Sequence, residues 1–161
     1  MEVIACSVGD AIEAQKGGAS RLEVVRDLER GGLTPSIELV RAIKQAVDLP
    51  LRVMVRESEG FGTTGELEIE RLCEAASEFS SLGIDGLVLG FLERGAIDLD
   101  LTSRVLACAP GLNATFHHAF EDAADQLQAV TQLKSLPQVD RILSSGGSGE
   151  FETRRKRLAA Y

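Results

Sequence analysis

Apolar residues along this chain switch repeatedly between two spacings. Short aliphatic runs at Met1–Cys6, Arg21–Val25, Leu51–Arg56, Gly86–Leu89, Leu112–His117 and Asp140–Ser144 read as strands. Between them apolar positions recur every three or four residues, as in Ile37, Val40, Ile43 and Val47, or Ile69, Leu72, Ala76 and Phe79, the stripe of a helix that covers a sheet. Six strand-then-helix units predict an α/β fold with a parallel sheet. A closed (β/α)8 barrel needs two further units and roughly 250 residues. The 161 residues therefore predict a single partial (β/α)8-barrel domain over 1–161, TIM-barrel-like and truncated after six β-α units.

The punctuation supports this division. Ser7 followed by Asp10 predicts a cap and first-turn acid for the first helix, and Gly17-Gly18 its end. Thr34 with Pro35 behind it reads as the cap and first residue of the second helix. Thr63 and Glu66 have capping-box spacing ahead of the third. A fourth helix carries Leu101, Val105 and Cys108, and a fifth is expected from about Asp122 to Ser135. Ser145-Gly146-Gly147-Ser148-Gly149 leads into a final basic helix.

Alternation within the strands assigns faces. Val53 and Val55 are expected against the helices, with Arg52, Met54 and Arg56 on the other side. By the same rule Leu22 and Val24 oppose Arg21 and Glu23, and Ala114 and Phe116 oppose Thr115 and His117. Several strands thus present polar groups to one face, where burial demands pairing or water.

Charge and cysteine usage narrow the classes of partner. Lys and Arg number 17 against 25 Asp and Glu, a formal net charge of −8, which argues against nucleic acid or an anionic membrane as a general partner. No apolar run reaches the length of a membrane span, and the start lacks the basic-then-apolar pattern of a signal peptide, so a cytoplasmic protein is expected. Cys6, Cys73 and Cys108 are odd in number and widely spaced, as reduced thiols are. Arg154-Arg155-Lys156-Arg157 reads as an exposed helix face.

Candidate chemistry collects at strand ends. Glu23, Arg56 and His117 end strands two, three and five, and on a curved sheet all three are expected to face one pocket. There a carboxylate and an imidazole could exchange protons while a guanidinium holds a phosphate or carboxylate. Cys6 and His117 are donors suited to a soft ion such as Cu(I). Ser145, Gly146 and Gly147 could present backbone N–H groups to an anion at a helix start. An internal ion pair is the purely structural alternative for Glu23 and Arg56.

The segments Gly17–Glu23, Gly31-Gly32-Leu33-Thr34-Pro35-Ser36, Val55-Arg56, Thr115-Phe116-His117-His118-Ala119-Phe120 and Arg141–Gly146 together resemble the CutC copper homeostasis protein family. The resemblance implies a cytosolic TIM barrel linked to copper homeostasis, with Glu23, Arg56 and His117 in the pocket and Ser145-Gly146 on the exit loop of strand six. Cys6 matches an early cysteine of some members. Val24-Val25 stands where some members carry a cysteine.

Three functions follow as expectations. The first is copper homeostasis with Cu(I) as ligand. The second is a TIM-barrel enzyme acting on a small anionic metabolite, oriented by Arg56 and the Ser145 loop, with Glu23 or His117 moving the proton. The third is a noncatalytic assembly module. An incomplete barrel would expose strand edges, so a homo-oligomer is expected.

Overall fold

The computed structural model describes residues 1–161. In chain order its elements are β1 (Glu2–Ala5), α1 (Val8–Lys16), β2 (Arg21–Val24), α2 (Ile37–Ala46), β3 (Leu51–Met54), α3 (Glu66–Ser81), β4 (Gly86–Leu89), β5 (Leu92–Glu93), β6 (Ala96–Ile97), α4 (Leu99–Ala107), β7 (Asn113–Phe116), α5 (Gln126–Leu133), β8 (Val139–Ile142) and α6 (Phe151–Ala160). Short 3-10 turns lie at Leu28–Arg30 and His118–Asp122. Six strands form one sheet in the order β1-β2-β3-β4-β7-β8, and every pair is parallel. β5 and β6 form a separate antiparallel hairpin. No helix is long and apolar enough to cross a membrane.

The predicted faces hold. Leu22, Val24, Val53, Val55, Leu87, Leu89, Ala114 and Phe116 join the helix stripes in one core between sheet and helices. On the opposite side only Val25, Met54 and Val88 cluster, with Cys6 against them. That inner face also carries the buried polar residues Glu23, Arg52, Arg56, Thr115 and His117.

One interaction demonstrates how strongly the sheet curls. Arg52 on β3 donates from both terminal nitrogens to Asp140 on β8, at 2.7 Å each, and to Thr115 Oγ1 at 2.7 Å. β3 and β8 are three strand spacings apart, which in a flat sheet is roughly 14 Å. An arginine spans that gap only if the sheet bends around it, as a barrel wall does. The sheet remains open, however, because β1 pairs only with β2, and β8 only with β7. A cleft of about 320 Å3 runs along this seam, lined by Val3, Ile4, Glu23, Thr115, Ile142 and Leu143 among others.

Several boundaries differ from the sequence expectation for identifiable reasons. Thr34 does not cap α2, because its hydroxyl is buried against the Arg56 backbone, donating to the carbonyl and accepting from the N–H at 2.9 Å each. Ser36 caps instead, accepting from Leu39 N–H at 3.2 Å. The Thr63–Glu66 box does not form. Glu68 accepts from both the N–H and hydroxyl of Thr64, and Glu66 pairs with Arg104. The fifth helix starts at Gln126 rather than near Asp122, since Asp125 caps it through Gln128 N–H at 2.9 Å and the preceding residues close a 3-10 turn. The β5–β6 hairpin was absent from the expectation. Its two-residue strands are too short to alternate, and its turn uses Arg94 and Gly95, both at positive φ (50° and 79°).

Candidate functional site

Arg56 lies just past β3, where Val55 N–H still bonds Val88 O at 2.8 Å and so holds the chain in line with the sheet. Its guanidinium donates to Gly31 O at 3.0 Å and to Glu59 O, and lies over the Phe61 ring with its central carbon 4.9 Å from the centroid. Burial lowers its pKa and the nearby Glu59 charge opposes that shift; an arginine nevertheless stays cationic in proteins. Its Nε is buried without any hydrogen-bond partner.

His117 follows β7 and is fully buried, its own N–H bonded to Leu89 O at 2.8 Å. Its Nδ1 accepts from Ala119 N–H at 3.2 Å, which opens the 3-10 turn. An imidazole that accepts at Nδ1 carries its proton on Nε2 when neutral. Neutral it is, because burial, then the charges of His118 and Arg56, push its pKa down to about 3. The Nε2 group is likewise buried and unpartnered. Gly90 makes room for the ring, since a Cβ there would stand 2.6 Å from Nδ1. Phe61 packs against both histidines, with centroids 5.4 Å from His117 and 5.3 Å from the exposed His118.

Arg56 and His117 thus sit past the carboxyl ends of β3 and β7, with Phe61 from the loop after β3 packed against both. Together they provide a fixed cation and a neutral N–H donor, each with one buried nitrogen left without a partner. Leaving such a donor unpaired costs about 1–3 kcal/mol. The unpartnered nitrogen on each side chain is a donor, so the complementary ligand atom is an anion or a strong oxygen acceptor.

The remaining sequence candidates fall elsewhere. Glu23 is buried and pairs in register with Ile4 and Arg52, and its carboxyl lines the open seam. Burial, reinforced by Glu2, pushes its pKa up to about 7. Arg52 does not relieve it, being taken up by Asp140, Asp85 and Thr115. Cys6 packs beside Val25, Met54 and Val88, and burial followed by Asp10, Glu29 and Asp27 raises its thiol pKa. No group of three or more His, Cys, Asp or Glu side chains is placed to hold a metal ion. A metal at His117 would have to displace the Nε2 proton or break the Ala119 hydrogen bond, and at Cys6 it would have to displace a thiol proton that is held more tightly than usual.

The Ser145–Gly147 loop holds an anion from its own chain. Glu121 Oε1 accepts from Ser145 N–H, from Gly147 N–H at 3.2 Å and from the Ser144 hydroxyl at 3.0 Å, and Oε2 accepts from the Ser145 hydroxyl at 3.3 Å. Burial acts against this carboxylate, but those donors outweigh it and hold its pKa below the usual range. The basic cluster of α6 closes over the same loop, with Arg154 donating to Ser145 O and Arg157 to Gly146 O and Ser148 O.

Sequence reasoning did not single out Phe61, Gly90 or Glu121. Gly90 was open to discovery, since a glycine directly after an aliphatic strand marks a close approach. Phe61 and Glu121 sit in a loop and a short turn, where no periodicity reports orientation.

The comparisons agree with this architecture. The CutC family model matches residues 1–161. A family protein CutC of Xylella fastidiosa (strain Temecula1 / ATCC 700964) is 37% identical over 148 residues, covering 91% of this chain and 55% of that protein. A copper homeostasis protein cutC homolog of Homo sapiens is 38% identical over 147 residues, covering 91% and 54%. The chain thus spans about half the length of these curated relatives. The crystal structure of a copper homeostasis protein CutC from Streptococcus agalactiae superposes with a TM-score of 0.90 at 29% identity, covering 99% of this chain and 79% of that one. A sialic acid aldolase from Ruminococcus gnavus, at 15% identity and a TM-score of 0.67 over 99% of this chain and 57% of its own, shares the fold alone. With its whole described length matched by the family model, this chain belongs to the CutC family.

Proposed function

We propose that this chain binds a small anionic metabolite, phosphate- or carboxylate-bearing, at the corner formed by Arg56 and His117. One observation carries the reading: two buried donors, Arg56 Nε and His117 Nε2, lack acceptors within a single aromatic-roofed corner. The cation supplies charge, the neutral imidazole supplies a directed N–H, and Phe61 excludes water, which strengthens both. His117 acts here as a donor rather than a base, because its proton affinity is far too low to accept a proton near neutral pH.

Isothermal titration calorimetry with orthophosphate, a phosphosugar and a small dicarboxylate tests this. Binding of at least one is expected in the wild type and is lost in both Arg56→Met and His117→Phe. Absence of heat for every anion, or equal binding in Arg56→Met, refutes it.

A second reading, handling of Cu(I), is favoured by the names of the human and Streptococcus relatives. Cys6 and His117 are its ligands in this chain, and competitive Cu(I) titration should weaken in Cys6→Ser. Three free cysteines suit a reducing compartment, in keeping with a cytoplasmic protein. The unpaired edges of β1 and β8, with Ile4 and Leu143 exposed beside them, support association with a second copy along the seam. Sedimentation velocity across a concentration series should show this, and a strict monomer throughout contradicts it.

A further inference from the structure

Glu23 is buried on the inner face of the sheet, 8% exposed, and no donor of the chain serves its carboxyl. Burial and then the charge of Glu2 raise its pKa to about 7, and no hydrogen bond opposes them. The arginines of its own and the next strand are committed elsewhere. Arg52, its register neighbour on β3, donates to Asp140, Asp85 and Thr115, and Arg21 on β2 donates to Glu2 and Asp85. A buried carboxyl without a partner is costly, and folded chains rarely leave one so. This one lines the seam between β1 and β8, whose volume of about 320 Å3 lies at the lower end of the range for small-ligand sites. The walls of the seam are aliphatic, Val3 and Ile4 from one edge and Ile142 and Leu143 from the other. Arg141 lines it too, and the only acid within 4.0 Å of that arginine is Asp140, which already accepts two bonds from Arg52.

We infer that the seam binds a small aliphatic monoamine, its ammonium group held by Glu23 and its hydrocarbon body against Val3, Ile4, Ile142 and Leu143. An ammonium supplies what this carboxylate lacks, a compact positive charge that carries its own N–H donors. A metal ion does not suit the place, since no group of three His, Cys, Asp or Glu side chains surrounds it. Of the other charges on the cleft, Glu2 is held by Arg21, whereas Arg141 would repel a second ammonium, so a diamine is the weaker ligand. Only the ionised carboxylate pairs with an ammonium. Binding therefore displaces the Glu23 proton and strengthens from pH 6 to pH 8, by about tenfold for a group that titrates near 7. The charged groups around Glu23 are Glu2 from β1, Arg52 from β3 and Arg141 from β8, and no histidine or cysteine lines the cleft. The site uses neither Arg56 nor His117, and so stands apart from the anion corner. A second copy docked along the same seam would compete with the amine.

The test is a proton–nitrogen NMR titration of the full chain with n-butylammonium at pH 6 and pH 8, with n-butanol and a butanediamine alongside. Wild type is expected to bind butylammonium about tenfold more tightly at pH 8, with shifts centred on the amides of Ile4, Glu23 and Leu143, and to bind the alcohol and the diamine less tightly. Glu23→Gln should lose both the pH dependence and at least tenfold in affinity at pH 8, and its amide spectrum should show it folded. Arg56→Met, which removes the anion site, should bind the amine as wild type does. Equal affinity in Glu23→Gln, an affinity indifferent to pH, tighter binding of the diamine, or no shift at either pH overturns the inference. So does self-association in sedimentation velocity that the amine leaves unchanged, which assigns the seam to a second copy.

Discussion

The bond between Arg52 and Asp140 sets the curvature of the sheet, and cutting it should be costly. Arg52 is 1% exposed and Asp140 31% exposed at the side chain, so Asp140→Ala strands a buried guanidinium that has lost two charge-assisted bonds of 2.7 Å. Breaking a fully buried pair from one side costs about 3–5 kcal/mol. Partial exposure of Asp140 and the contacts Arg52 retains with Thr115 and Asp85 place the expected loss at the lower end, about 3 kcal/mol. For a chain of this size that corresponds to roughly 6–12 °C in Tm. Calorimetry at neutral pH reads it directly. Removing both partners, as Arg52→Met with Asp140→Leu, should recover much of the loss, because no unpaired charge remains. The pH dependence is also fixed. Burial works against the Asp140 carboxylate, but the hydrogen bond and charge of Arg52 prevail and depress its folded pKa. The stabilisation is thus complete above the unfolded value, near 4, and disappears as pH falls through the depressed one. A shift below about 2 °C for Asp140→Ala at neutral pH would refute the claim that this pair ties β3 to β8.

Glu23 carries the opposite sign. Its folded pKa is raised to about 7, so its contribution is complete below the ordinary carboxylate value and is lost as pH climbs through 7. Glu23→Gln should flatten that dependence and exceed wild type by roughly 2–3 kcal/mol at pH 8, measured by urea denaturation; parallel pH profiles for the two proteins contradict it. Gly90→Ala forces a Cβ to 2.6 Å from His117 Nδ1 and should cost about 1–3 kcal/mol along with anion binding, and an unshifted urea midpoint would count against the packing described. Glu121→Gln keeps the shape but removes the charge that the Ser145 and Gly147 N–H groups serve. Hydrogen exchange followed by mass spectrometry should find residues 144–149 less protected, and unaltered protection there would count against Glu121 as the loop's anchor.

How much of this was legible in the sequence depended on periodicity. All six strands of the sheet, their direction and the inward placement of Arg52, Met54, Arg56, Thr115 and His117 followed from alternation, because a one-residue slip would have reversed every face. Hairpin β5–β6 and the true start of α5 did not follow, since two-residue strands and a 3-10 turn leave no periodic trace. The candidate site was legible in part. Arg56 and His117 both pack against Phe61 at their strand ends, whereas Glu23 faces the seam that an open sheet creates. The Ser145 loop was recognisable as a cradle for an anion, but nothing in sequence spacing tells that a carboxylate of the same chain, 24 residues earlier, fills it.

The account rests on a neutral His117 whose Nε2–H waits for an acceptor beside Arg56. Nitrogen NMR of the ring, recorded from pH 5 to 8 with and without orthophosphate, reads both halves of that statement. The Nε2–H tautomer should persist uncharged across the whole range, and its Nε2 resonance should move on adding phosphate in the wild type but not in Arg56→Met. An imidazolium signal at pH 6, or an Nε2 resonance indifferent to every anion tried, would contradict it.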